Sequence, residues 1–175
     1  MSALSPSHEL TTWANRAGYS VTASDKTNAT VFWSDPGGEI RYYCRNEDDE
    51  HIRLTRVTRD GPEELVLIAA TFAILQRYMI GRFGNVIRDE LGLDVLRPPW
   101  TADQLAEGYA LTDMDDDGCR ALLRNGSVVA KAPEATLSLL ALVPLSHYMR
   151  LSTADLMDSF LDPHGAPLLA NGRYA

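Results

Sequence analysis

Residues 64 to 83, ELVLIAATFAILQRYMIGRF, change their hydrophobic period part-way along. From Glu64 to Ala69 the run is short and rich in Leu, Val and Ile, the composition of a strand. From Thr71 onward Phe72, Leu75, Met79 and Phe83, joined by Ile74 and Tyr78, recur at helical spacing and form a broad apolar stripe. A strand followed at once by such a helix packs the helix on the sheet, since each has an apolar face to bury. The helix is predicted from Thr71 to the mid-80s. Gly81 and Gly84 leave its far end open, and Val86 to Leu91 either continue it or form a separate turn.

Toward the N-terminus, extended runs recur. Tyr19 to Ala23, Ala29 to Ser34 and Glu39 to Cys44 read as strands, and Ile52, Leu54 and Val57 carry another. Asp35-Pro36-Gly37-Gly38 is a turn whose glycines tolerate positive φ. The links are short and no crossover helix intervenes, so these strands form an antiparallel meander. Arg53, Arg56 and Arg59 lie largely on polar positions, and the NEDDE patch, Asn46 to Glu50, faces water because unpaired acids are costly to bury. Ahead of the meander, Leu10, Trp13, Ala14 and Ala17 give a helix from His8 to Ala17, closed by Gly18.

Toward the C-terminus, Arg97-Pro98-Pro99-Trp100 makes a stiff connector, and an internal echo follows it. WANRAGYSVT from Trp13 has a counterpart in ADQLAEGYALT from Ala102, each read as a short helix, a Gly-Tyr pair and a strand. ATFAILQRYM from Ala70 matches ATLSLLALVPLSHYM from Ala135. Between them Arg120 to Leu123 and Ser127 to Ala130 flank an Asn125-Gly126 hairpin turn. The pattern suggests a helix–sheet–helix unit used twice, residues 8–96 and 101–150, with a helical tail over 151–175, all within one compact domain spanning 1–175. Duplication and coincidence both account for matches this short. The predicted class is α+β: antiparallel sheets with packed helices. In the second long helix Leu137, Leu140, Leu142 and Val143 cover nearly all sides, which predicts deep burial, and Pro144 predicts a kink or a broken bond ladder. Ser152 caps a last helix ending near Phe160, with Asp155 at the third position.

The chain has 175 residues and is 45% hydrophobic, enough for a core of its own. Its net charge of −8 removes nucleic acid as a partner, because no basic footprint for phosphates is present. The acid excess is concentrated: residues 61–120 hold eleven acids against five basic residues, whereas the last 55 residues balance at four each. Such a charge serves either solubility or attraction to a basic partner. Cys44 and Cys119 are far apart with no close ligand pattern, which favours reduced, buried thiols. Met1 to Glu9 lack the charge and apolar run of a signal peptide, and Leu137 to Leu145 is too short to span a bilayer. The expectation is a cytoplasmic protein with no membrane contact.

Catalytic and cofactor chemistry finds little support, and no cofactor is called for. DMDDDG, residues 113 to 118, matches the front of a calcium loop, but its twelfth position is Arg124 where a bidentate carboxylate is needed. His8, His51, His147 and His164 have no metal-ligand spacing, and Ser146-His147 are helix neighbours that point apart. Asp35 and Glu39 flank a turn and are close enough in sequence to approach one another; the plainer reading is a water-facing hairpin. Contact with a protein fits better. The turn carrying Asp35, Gly37 and Glu39 combines charge, glycine and the nearby aromatics Trp33, Tyr42 and Tyr43. Consecutive tyrosines on a strand face opposite sides, so Tyr43 is the candidate surface anchor. Asp113, Asp115, Asp116 and Asp117 form a second candidate contact patch. A scaffold protein and a small enzyme remain open as other classes on the residues alone.

Trp13-Ala14 with Ala17-Gly18-Tyr19, Val31 to Ser34 through Gly38 to Tyr43, Arg77-Tyr78 with Gly81 to Gly84, Leu145-Ser146-His147, Ser152 to Leu156, Ser159 to Asp162 and Gly165 to Leu168 recur in order along the chain. Together these segments resemble a bacterial polymorphic-toxin immunity family. Within that family the chain is similar to mycobacterial immunity factors directed against a secreted necrotizing toxin. The resemblance implies a cytosolic protein that binds the NAD-hydrolysing domain of the toxin, one to one, and covers its active site. It assigns no individual contact residue.

Overall fold

The computed structural model describes residues 4–48 and 50–174. Asp49 of the NEDDE patch lies outside the described residues, as do Met1 to Ala3 and Ala175. Helix α1 (His8–Arg16) leads into β1 (Tyr19–Thr22), β2 (Thr30–Ser34), β3 (Ile40–Asn46), β4 (Ile52–Thr58) and β5 (Glu64–Ala69), and α2 (Phe72–Glu90) follows. Beyond the connector come a 3-10 turn (Ala102–Gln104), β6 (Tyr109–Leu111), β7 (Cys119–Arg124), β8 (Ser127–Pro133), α3 (Ala135–Tyr148) and α4 (Thr153–Leu161). A small hairpin of β9 (Leu169–Ala170) and β10 (Arg173–Tyr174) ends the described chain.

The class is α+β. The first eight strands form one antiparallel sheet ordered β1-β2-β3-β4-β5-β8-β7-β6. Its two sheet–helix regions meet where β5 pairs with β8, Ala69 opposite Ala130. Each of these two strands carries a bulge, at Val66 and Val129, and each runs directly into a helix. One face of the sheet is apolar: Cys44, Leu54 and Leu67 lie side by side, as do Ala69, Ala130 and Leu122, all fully buried. On it α2 places Leu75, Met79 and Phe83, the last with its ring 4.8 Å from Tyr19 and 5.8 Å from Phe32. Helix α1 is tied to α2 by the Trp13 indole, which donates to the carbonyl of Ile80 at 3.0 Å.

Gly81 and Gly84 do not end α2; they let other elements touch it. A Cβ at Gly81 would lie 2.3 Å from the Tyr148 ring, and one at Gly84 would lie 2.3 Å from Phe160. Arg88, one turn further on, is fully buried and ties α2 to the end of α4. The second short helix, by contrast, is reduced to its 3-10 turn. The Ala106 N–H donates to Ser146 Oγ and the Gln104 carbonyl meets His147 Nε2, so α3 takes backbone groups that a helix would have paired internally.

Helix α3 continues through Pro144 to Tyr148, with Leu142, Val143 and Leu145 buried. The expected all-round burial fails, however. Leu137 and Leu140 are 55% and 43% exposed, because among the described residues no element covers that side of α3.

Candidate functional site

Strand direction gathers three connections at one end of the sheet. Ile40 at the start of β3 lies opposite Thr58 at the end of β4, and Cys119 at the start of β7 lies opposite Pro133 at the end of β8. The β2–β3 turn (35–39), the β4–β5 turn (59–63) and the β6–β7 loop (112–118) therefore share that end. Four strand spacings separate β3 from β7, roughly 19 Å, so both acidic candidates lie on one rim but not in one cluster.

In the first turn Asp35, Gly37 and Glu39 are exposed, and Gly37 and Gly38 take φ of 90° and 64°. Asp35 accepts from Ser20 Oγ at 2.5 Å, while Glu39 lies 3.9 Å from Arg59, so each carboxylate has a separate partner. In the β6–β7 loop Asp113, Asp115, Asp116 and Asp117 are exposed. Asp115 also builds the loop, accepting from the N–H groups of Cys119 at 2.8 Å and Asp117 at 3.1 Å and pairing with Lys131 at 3.3 Å. The Cys119 amide first, then Lys131, hold its carboxyl below the usual range. Arg124 stands on β7 with its guanidinium 5.4 Å over the Tyr109 ring.

The two tyrosines separate as strand alternation requires. Tyr42 is buried beside Phe83, whereas Tyr43 is half-buried on the opposite, open sheet face beneath Arg45, 4.8 Å away. Tyr43 pairs with Val31 and Thr55 in mid-strand, away from the turn carrying Asp35. The three arginines of β4 and its turn are each matched to an acid: Arg53 with Glu47, Arg56 with Glu64 at 3.1 Å, and Arg59 with Glu39. Their charges are answered within the sheet, which leaves little to recruit phosphate.

A further feature went unrecognised in the sequence. Between α2 and α3, over the apolar face of the sheet, lies a groove of about 390 Å³. Tyr78 and Arg82 wall it from α2, Leu137 and Leu140 from α3, and Tyr42 and Arg56 lie along its floor. The Val66 bulge re-aims the start of β5 so that Glu64 and Val66 also reach it. Apolar cover on nearly all sides of α3 predicts burial of Leu137 and Leu140; their i, i+3 spacing, with Leu142 on the opposite side, is the one sequence sign of a separate face. Among the described residues, no three or more His, Cys, Asp or Glu converge as a metal site, and no helix is long and apolar enough to cross a membrane.

The Immunity protein 61 family matches residues 13–168, which takes in the end of α1, the whole eight-stranded sheet and α2 to α4. The chain belongs to the Immunity protein 61 family. Two relatives within reach of this Immunity protein 61 chain are "Immunity factor for TNT" from Mycobacterium tuberculosis and "Immunity factor for TNT homolog" from Mycobacterium bovis. Each is 30% identical over 168 residues, covering 93% of this chain and 91% of the relative. The solved structure of Rv3902c from M. tuberculosis superposes with a TM-score of 0.81 at 30% identity, over 94% of this chain and 93% of that one. The match therefore spans both ends of the sheet and the α2–α3 pair.

Proposed function

We propose that this protein neutralises an NAD-hydrolysing toxin by binding its catalytic domain and covering the substrate entrance. The observation that carries the reading is near-full-length similarity to a protein named as the immunity factor for TNT. The sequence resemblance supplies the chemistry of the target, a secreted domain that consumes NAD, and the setting, the cytosol of the producing cell.

Inhibition by fit needs a rigid surface and slow dissociation rather than a reactive group. The acidic rim suits that task. A cleft that attracts the phosphates of NAD carries positive potential, and the carboxylates of the 35–39 turn and the 112–118 loop would be drawn to the same field. On this reading Asp35, Gly37, Glu39, Asp113, Asp115, Asp116 and Asp117 form contact elements, Tyr43 offers an anchor on the open face, and the protein itself turns over no substrate.

Titrating the purified protein into TNT while following NAD loss tests the proposal. Activity is expected to collapse near one equivalent. NAD loss that stays unchanged through a clear molar excess overturns it.

A further inference from the structure

Helix α3 exposes two leucines toward a groove that also holds an exposed arginine. Arg82 projects from α2, and its terminal nitrogen donates to Tyr42 Oη at 3.2 Å; among the described residues no carboxylate pairs with it. On the floor, the Arg56 Nε is enclosed without a hydrogen-bond partner. An exposed apolar pair beside a cation with no carboxylate partner is well matched to an apolar side chain flanked by a carboxylate.

The groove is continuous with the acidic rim. Glu64 begins β5 and Pro133 ends β8, both line the groove, and both belong to the sheet end that carries the three turns. The described residues with positive φ that are neither Gly nor Asn are Arg59, at 53°, and Glu134, at 65°, and both sit at this end. Backbone held in that region persists where its surroundings enforce it, commonly at contact sites.

From these observations we infer that the α2–α3 groove is the principal seat of the toxin. An apolar side chain of the toxin enters between Tyr78, Leu137 and Leu140, a neighbouring toxin carboxylate pairs with Arg82, and the acidic turns contact basic groups at the margin. The inference rests on the neutralising reading above and names the surface that performs it.

The test compares wild type with Arg82→Glu and Leu140→Asp, measuring affinity for TNT and the equivalence point of inhibition. Each substitution is expected to raise Kd roughly 30-fold or more, mainly through faster dissociation. A second measurement stands even if a charged variant folds poorly. Cys44 and Cys119 are buried, so Leu137→Cys introduces one accessible thiol, whose alkylation is expected to slow sharply once TNT is bound. Undiminished alkylation in a complex that still inhibits, or full affinity in both groove variants, overturns the groove while leaving neutralisation intact. Absence of inhibition by wild type overturns the parent reading itself.

Discussion

Arg88 is buried with no ion pair among the described residues, and its guanidinium is distributed over four main-chain carbonyls. It donates to Asp94 at 2.6 Å, Phe160 at 3.2 Å, Asp162 at 2.6 Å and Pro163 at 3.0 Å. Arg88→Met is expected to lower stability by about 3–5 kcal/mol, since it strands those acceptors in the interior, and a urea titration would register the loss. Gly84 reverses a common rule. Replacing a helix-interior glycine with alanine ordinarily gains about 1 kcal/mol, but here the added methyl strikes the Phe160 ring. Gly84→Ala should therefore destabilise, by about 1–3 kcal/mol, visible as a lower Tm. Cys44 is equally constrained: burial pushes its thiol up to about 12. Neither cysteine should react with Ellman's reagent at pH 8 in the native protein, and both should react after unfolding.

At the scale of elements, the β6–β7 loop is organised by one carboxylate. Two backbone amides and Lys131 converge on Asp115, and its folded pKa lies below the unfolded value. The linkage sign follows: the contribution is present above the unfolded carboxylate pKa of about 3.9 and is lost as pH falls through the depressed folded value. Asp115→Asn keeps an acceptor for the amides but removes the charge. Thermal melts at pH 6 and pH 3 should show a smaller acid-induced drop in the variant than in wild type. Helix α3 is an element whose burial is divided. Ser146 and His147 hold the 102–106 segment while Leu137 and Leu140 remain open, so one helix serves both core and surface.

For the whole molecule, the proposed neutralisation assigns charge and shape to different steps of association. The acidic rim lies on exposed turns, where long-range attraction governs encounter more than residence. Neutralising Asp113, Asp116 and Asp117 together, with Asp115 kept because it organises the loop, is expected to slow association with TNT and flatten its salt dependence while changing dissociation little, as stopped-flow mixing would show. An unchanged on-rate would remove that loop from the encounter. The groove variants should do the reverse, because desolvated central contacts set the lifetime of a complex.

Local pattern was sufficient for most of the architecture. The period change between Ala69 and Phe72, the Asn125-Gly126 turn, the Tyr42/Tyr43 alternation and the Ser152 cap all depend on neighbours a few residues away, and each is found as read. Chain-wide resemblance likewise supplied the family. What sequence periodicity could not reveal was which apolar residues have something to pack against. Leu137 and Leu142 are the same residue type on the same helix, yet one is 55% exposed and the other fully buried. The 102–106 segment carries helical spacing but gives its backbone bonds to α3, and Gly81 and Gly84 resemble helix ends until Tyr148 and Phe160 arrive. Secondary structure follows from short-range sterics and period, legible along the chain; exposure depends on contacts between residues far apart in it, and those exist only once the sheet and its helices have assembled.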